Sequence, residues 1–319
     1  MSGGAQLDVR VAAIETMAQD VKCFELVSAS GEPLPSFSAG SHVVVTMHGE
    51  RVFRNPYSLM GPLLENRSYR ISVLRTESSR GGSHYMHDAV KVGSPLTISY
   101  PINLFPLDQL GRKHLLLAGG IGITPLMAMA EELLLRNKTF ELHYCMRTRA
   151  RGAHLDALGQ RLGERFRHYC DDRGETLPLA RILERQPLGT HLYCCGPAGM
   201  IDAALLAARN AGWTESSLHW ERFQAPPGGK PFTVKLARSG LTVSVREQEG
   251  ILDAVEAAGV DAPYLCRGGA CGQCETAVLA ADGAIVHNDH YLSAEEHKRG
   301  GKIMICVSRF EGRELVLDL

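Results

Sequence analysis

The first third of the chain runs in short β-branched and alternating segments, such as Val43-Val-Val-Thr46 and Tyr69-Arg-Ile-Ser-Val-Leu74. Gly31, Pro33, Pro35, Gly40, Gly61 and Pro62 punctuate them. Short strands with frequent turns predict a small antiparallel barrel or sandwich over residues 1–110. The period then changes. Leu115-Leu-Leu-Ala118 reads as a short buried strand, followed by a glycine turn and a helix opening at Thr124-Pro125. Thr suits an N-cap and Pro the first helical position. Further strands are expected at Phe140–Cys145, near 165–170 and at Thr190–Cys194, with helices near 153–163 and over Ala198–Arg209. Alternating strands and helices predict a doubly wound parallel sheet over 111–224. Residues 225–231 read as a linker. Beyond it, a hairpin around Gly240, a helix over Ile251–Ala258 and strands near 302–308 and 314–319 define a third domain, 232–319.

Composition narrows the class. Hydrophobic residues make up 45% and charged residues 22%, as in an ordinary globular chain. Lys plus Arg is 34 against 35 for Asp plus Glu, so no charge excess points to nucleic acid. No apolar run has the length of a membrane span. The segment MSGGAQLDVR lacks the apolar core of a signal peptide. A cytoplasmic protein, with nothing that calls for more than a monomer, is the expectation.

Nine cysteines without a signal peptide do not read as a disulfide framework. Four of them follow one pattern: Cys266-x4-Cys271-x2-Cys274, then 31 residues to Cys306. That is the plant-type spacing for a 2Fe–2S cluster, with three thiolates on one loop and a fourth from a distant strand. Arg267-Gly-Gly-Ala270 and Gly272 leave room for backbone amides to approach the inorganic sulfurs. A zinc site is the alternative, but it would ordinarily pair two C-x2–4-C knuckles. The domain is also acidic, with 13 carboxylates against 9 basic residues. Such a face steers docking to a basic partner, or is an ordinary solvated surface.

Gly119-Gly-Ile-Gly-Ile-Thr-Pro125 lies between a buried strand and a helix, where glycines let a pyrophosphate approach the backbone. A second motif, Cys194-Cys195-Gly196-Pro197-Ala-Gly-Met200, ends a later strand and opens another helix. Ligands of such sheets bind at the carboxyl ends of strands. Arg147, Arg149 and Arg151 follow another strand; they could hold a 2′-phosphate, contact the adenosine phosphates, or form a solvated loop. In the first domain, Arg54-Asn-Pro-Tyr57-Ser58-Leu59 is followed by Tyr69–Leu74 and by Ser79-Arg-Gly-Gly-Ser-His84. Gly81, Gly82 and Ser83 offer amides and a hydroxyl to a phosphate. His219-Trp-Glu-Arg-Phe223 ends the second domain.

Residues 232–319 resemble the plant-type ferredoxins, and the two glycine motifs resemble the nicotinamide domain of the ferredoxin–NADP reductase superfamily. The order of the three domains resembles the phthalate dioxygenase reductase family over nearly the whole chain. That resemblance implies FMN, NADH and a 2Fe–2S cluster, in a reductase that passes single electrons to a terminal oxygenase, expected to be Rieske-type. A haem or di-iron monooxygenase partner, or a non-catalytic carrier subunit, is the alternative. It implies that Tyr57 and Ser58 touch the isoalloxazine and that Arg54 binds the phosphate. It places Leu59, Ile71, Val73, Gly81, Gly82, Ser83 and Phe223 near the flavin. Gly119, Gly120, Gly122, Thr124, Pro125, Arg147, Cys195, Gly196, Pro197 and Met200 are placed near the nicotinamide nucleotide. Thr124 and Cys195 are the pair expected to orient the nicotinamide, and Ser58 the residue beside the reacting ring. Arg54 departs from the family spacing, with two residues instead of one before Tyr57.

Overall fold

The computed structural model describes residues 6–49, 52–77, 79–223 and 228–319. They form two compact units, Gln6–Arg222 and one that begins at Phe223 and runs to Leu319. Residues 225–227 of the expected linker lie outside the described residues.

The first unit opens with β1 (Gln6–Ala18), β2 (Val21–Ser28), β3 (Ser41–His48), β4 (Val52–Ser58) and β5 (Ser68–Leu74). A short helix α1 (Gly82–Asp88), β6 (Pro95–Ser99) and β7 (Ile102–Asn103) follow. The antiparallel sheet has the order β4-β3-β6-β1-β2-β5, with β7 paired to β3. Its two ends, β4 and β5, come back into contact and close a barrel. Strand alternation fills it: Val43, Val45 and Met47 of β3 and Tyr69, Ile71 and Val73 of β5 are fully buried in one cluster.

The same unit continues with β8 (Lys113–Gly119), α2 (Ile123–Leu135), β9 (Thr139–Met146), α3 (Leu155–Leu162) and β10 (Phe166–Cys170). It ends with α4 (Leu179–Glu184), β11 (Thr190–Cys195), α5 (Ala198–Asn210) and β12 (Leu218–Glu221). All five strands are parallel, in the order β10-β9-β8-β11-β12. The run Leu115–Ala118 is apolar throughout because both faces are covered. Leu116 and Ala118 pack with α2 and α3, and Leu115 and Leu117 with α4 and α5. The chain winds one way from β8 to β9 and the other way to β11, so the switch point lies between β8 and β11. The helix expected to be capped by Thr124 begins two residues earlier, at Ile123 after Gly122. A 3₁₀ turn over Gly120–Gly122 runs straight into it and takes the place of a side-chain cap.

The second unit holds β13 (Phe232–Leu236), β14 (Leu241–Val245), α6 (Ile251–Ala257), β15 (Glu275–Ala281) and β16 (Ala284–Val286). It closes with α7 (Ala294–Arg299), β17 (Lys302–Met304), β18 (Arg309–Glu311) and β19 (Glu314–Leu317). The mixed sheet runs β14-β13-β19-β15-β17, beside a β16-β18 pair. The single strand expected over 302–308 is broken. Ser308 N bonds back to Met304 O at 2.9 Å, so residues 305–307 turn and Cys306 sits on a turn between two short strands. Arg309 then reaches back across the unit, donating to the carbonyls of Gly229, Lys230, Arg246 and Glu249 at 2.8–3.0 Å. Its guanidinium lies 5.3 Å from the Phe232 ring centre.

Among the described residues no helix is long and apolar enough to cross a membrane. Two measurements follow from this packing. Arg309→Met leaves four carbonyls without their donor and should cost about 1–3 kcal/mol, read as a lower denaturant midpoint for loss of the visible circular dichroism of the cluster-loaded chain. His42 and His154 are both pushed down to about 4 by burial. Their neutral forms belong to the fold, so this stability is complete above pH 6.5 and is lost as pH falls towards 4, at up to about 1.4 kcal/mol per pH unit for each. Unfolding midpoints between pH 7 and 4.5 should show that slope, and His154→Gln should flatten it.

Candidate active site and cluster centre

Two turns interlock at the switch point. A Cβ on Gly122 would stand 2.2 Å from the Cys195 carbonyl oxygen, and one on Gly196 would stand 2.9 Å from the Gly119 Cα. A Cβ on Gly119 would meet Met200 Sδ and Pro197 Cδ at 2.6 Å. These three glycines therefore serve the contact between β8 and β11. Gly120 differs: its φ is +54°, and an added Cβ would meet nothing within 4 Å. It needs glycine for its backbone and faces open space, as a nucleotide-facing residue would. Thr124 is buried and its hydroxyl donates to Ile121 O at 3.0 Å, and Pro125 is buried beside it. Cys195 is fully buried in the core beneath α2, and burial pushes its thiol well above the ordinary range. It stays a neutral thiol. Cys194 packs into the opposite core, as expected of a strand residue.

Among the basic residues after β9, Arg149 pairs with Asp156 at 3.1 Å, and Arg151 stands 4.0 Å from Asp20. Arg147 is exposed.

In the barrel, the register pairs Thr46 with Arg54, Val44 with Pro56 and His42 with Ser58. Arg54 and Ser58 thus share one face of β4, while Tyr57 shares the other with Asn55 and Phe53. The second residue between Arg54 and Tyr57 is what separates them, because a strand alternates with a period of two. Tyr57 takes a hydrogen bond from Asn55 Nδ2 at 3.3 Å, and burial pushes its phenol up to about 12. Gly81 and Gly82 open α1 against β4: added Cβ atoms would lie 2.5 Å from the Phe53 ring and from Asn55 Nδ2. Ser83 is buried, its hydroxyl accepting from Thr76 N at 3.5 Å. Leu59, Ile71 and Val73 have fully buried side chains in the barrel core, so their contribution to a ligand is through backbone. The Gly120–Gly122 turn contacts β5, which brings the nucleotide turn to the barrel seam. A separate cleft of about 520 Å³, lined in part by Met60, Arg70, Met127 and His154, touches none of these residues. Phe223 is half exposed at the start of the second unit.

The cysteine centre lies wholly within the second unit. Cys266, Cys274 and Cys306 are buried and Cys271 is half-buried. Their thiols converge in pairs, Cys266 with Cys271 and Cys274 with Cys306, each pair sharing a hydrogen bond. Within each pair that bond lowers one thiol, Cys266 or Cys274, and raises the other. Gly268 N donates to Cys266 Sγ at 3.3 Å, an amide already aimed at sulfur. Two pairs of sulfurs fit two irons with two thiolates each, and all-sulfur ligation with an amide-lined loop fits a 2Fe–2S group. The loop is tightly held. Gly269 (φ +73°) is crowded by Val307, and Gly272 (φ +78°) by the exposed Tyr291 ring. Arg267 takes the left-handed conformation without being glycine, at φ +50°. It is anchored by ion pairs to Asp253 at 3.1 Å and to Glu256, and stacks 4.0 Å over Tyr264. Sequence reasoning missed this anchor, although Asp253 and Glu256 stand three apart on a predicted helix and so on one face.

Residues 234–311 match the 2Fe-2S iron-sulfur cluster binding domain family, and residues 100–218 match the N-terminal domain of the dimethylamine monooxygenase subunit DmmA-like family. The solved structure of phthalate dioxygenase reductase, described as a modular structure for electron transfer from pyridine nucleotides to [2Fe-2S], is similar to this chain. It superposes with a TM-score of 0.89 at 34% identity, over 99% of this chain and 98% of that one. The haem-dependent oxidative N-demethylase beta subunit of Ectopseudomonas mendocina is 46% identical over 98% of this chain and 99% of its own length. The carnitine monooxygenase reductase subunit of Acinetobacter pittii is 41% identical over 96% of this chain and 100% of its own. The chain belongs to the phthalate dioxygenase reductase family, and it has that family's antiparallel barrel, parallel-sheet domain and C-terminal ferredoxin domain.

Gly122→Ala tests the switch-point contact. The added methyl has only backbone to displace, so the variant should lose roughly 1–3 kcal/mol and weaken NADH binding while the 2Fe–2S absorbance is retained; thermal unfolding and nucleotide titration read the two effects.

Proposed function

We propose that this chain is the reductase component of a multicomponent oxygenase: it oxidises NADH on bound FMN and delivers single electrons through a 2Fe–2S cluster to a terminal oxygenase. The observation that carries this reading is the set of four buried or half-buried cysteines in the second unit, three on one loop and Cys306 on a turn, in a chain whose other unit brings a switch-point glycine turn to the seam of a barrel. When bound, a flavin takes a hydride and releases electrons singly, and the cluster accepts one.

The protein's share is binding and placement. The Gly120–Gly122 turn and the start of α2 receive the nucleotide phosphates, and Thr124 shapes that turn through its bond to Ile121. Cys195, Gly196, Pro197 and Met200 wall the nicotinamide side. Arg54, Tyr57, Ser58, Gly81, Gly82 and Ser83 hold the FMN, with backbone contributions from Leu59, Ile71 and Val73, and Phe223 is the residue expected near the flavin ring. Cys266, Cys271, Cys274 and Cys306 ligate the cluster. Arg149 and Arg151 face carboxylates within this chain, which supports NADH over a cofactor bearing a 2′-phosphate. A barrel over residues 1–110, a nucleotide domain over 111–224 and a ferredoxin domain from 232 are the working division, in a monomeric cytoplasmic protein.

A Rieske-type centre is the partner expected from the sequence. The 46% identity to the beta subunit of a haem-dependent N-demethylase favours a haem oxygenase as a second reading. The two differ only beyond the cluster, where the acceptor sees an electron and a docking face. Anaerobic NADH titration tests the relay. Three electrons should enter each chain, with FMN as the released flavin and a reduced-cluster EPR signal. In Cys306→Ser the uptake should fall to two, with the EPR signal lost and flavin reduction kept. Two-electron uptake by the wild-type chain with no cluster signal would defeat the proposal.

A further inference from the structure

We infer that Glu132 of α2, helped by Glu131, is a positioning residue for hydride transfer: it fixes the strand end that carries Ser58 against the nucleotide turn. The inference rests on the reductase reading above. Glu132 stands nine residues past the start of α2, about 13 Å along the helix axis. It acts through the backbone that it holds.

Glu132 is buried, and its carboxylate is met by donors from three segments. Ala39 N donates to Oε2 at 3.2 Å, and Gln109 Nε2 and Arg136 Nε donate to Oε1 at 3.2 and 2.9 Å. Ala39 precedes β3, Gln109 lies between β7 and β8, and Arg136 caps α2. The surroundings are apolar: Ala39, Phe105 and Leu107 pack in one cluster with the buried face of α2. An apolar side chain of similar size would fill such a seam at lower cost. What the carboxylate adds is a directed bond to one backbone amide.

That amide leads to the flavin strands. Two residues after Ala39, Ser41 O accepts from Leu59 N at 2.9 Å, and His42 pairs with Ser58. Gly40 lies between, at φ +88°, and a Cβ there would run into the Phe105 carbonyl, so the turn has no room to shift. Glu131 reaches the same strand end by another loop. Its Oε1 accepts from Leu63 N at 3.5 Å, and a Cβ on Gly61 would stand 2.6 Å from its Oε2. Neighbouring helix residues point about 100° apart, so the two carboxylates grip different loops. With the Gly120–Gly122 turn against β5, the helix and the turn that opens it meet the barrel at three places. A rod held at three places does not rock, and the nucleotide turn keeps its distance from Ser58. That distance matters, because a misplacement of about 1 Å caused far from the chemistry can cost on the order of 100-fold in rate.

The test compares full-length wild type and Glu132→Gln, both loaded with flavin and cluster, in anaerobic stopped flow with NADH and with NADH deuterated at the transferred hydrogen. The amide cannot accept from Ala39 and from Gln109 and Arg136 at once. The limiting rate of flavin reduction should fall about 10-fold, with a primary isotope effect that marks hydride transfer as the slow step. The NADH concentration for half-maximal rate should stay within about 2-fold. Hydrogen exchange gives a readout independent of activity: amides of residues 38–42 and 58–61 should lose protection together in the variant, and those of the second unit should keep theirs. A lower unfolding midpoint with an unchanged reduction rate overturns the inference and leaves Glu132 a packing residue. Loss of protection confined to Ala39 overturns it as well. If Glu132→Gln does not fold, Glu132→Asp, which withdraws the carboxylate by one methylene, is read by the same two measurements. Wild type that NADH does not reduce would defeat the reductase reading itself, an outcome seen before any variant is compared.

Discussion

The nucleotide half of the first unit depends on the meeting of two backbones at the ends of β8 and β11. Glycine at 119, 122 and 196 is demanded by neighbouring backbone and by Met200 and Pro197, not by a ligand. Their approach lets α2 and α5 both start beside the switch point, and it sets the Gly120 turn against β5 of the barrel. Were these strands a methyl group further apart, the two helix starts would no longer share one opening. The glycine motif is therefore a packing motif first, with Gly120 left facing open space.

The second unit applies the same economy around sulfur. Its loop is held by small residues where side chains crowd in and by Arg267 where a charge can be neutralised by α6. The arginine occupies a backbone conformation that usually favours glycine, and its two carboxylate partners and the Tyr264 ring hold it there. A buried guanidinium would be expensive alone; with Asp253 and Glu256 it becomes the fixed point from which the loop departs.

Much of this was legible in the sequence because it repeats with fixed periods. The β-branched runs of the barrel, the apolar Leu115–Ala118 strand and the cysteine spacing each carry their own signature. What escaped was set by tertiary contact. The cap expected at Thr124 is displaced by a 3₁₀ turn that only the Cys195 contact explains. The strand expected through 302–308 is broken at Ile305–Val307, because delivering Cys306 towards Cys274 requires a turn that apolar composition does not announce. Cys195, expected to orient the nicotinamide, lies fully buried, and burial keeps its thiol neutral. Helix α7 carries a full capping box, Ser293 with Glu296, a signal that was present in the letters and went unused.

The Arg309 clamp has a consequence for how long the cluster stays in place. It joins β18 to the carbonyls of residues 229–230 at one end of the unit, and β13 lies parallel to β19, so the first and last strands share one sheet. Arg309 ties the turn that carries Cys306 to carbonyls on both sides of the β13–β14 hairpin. Escape of iron is thus tied to cooperative opening of the whole unit rather than to fraying of one loop, and the protein's working lifetime in the presence of chelators is a property of its fold as much as of its thiolates.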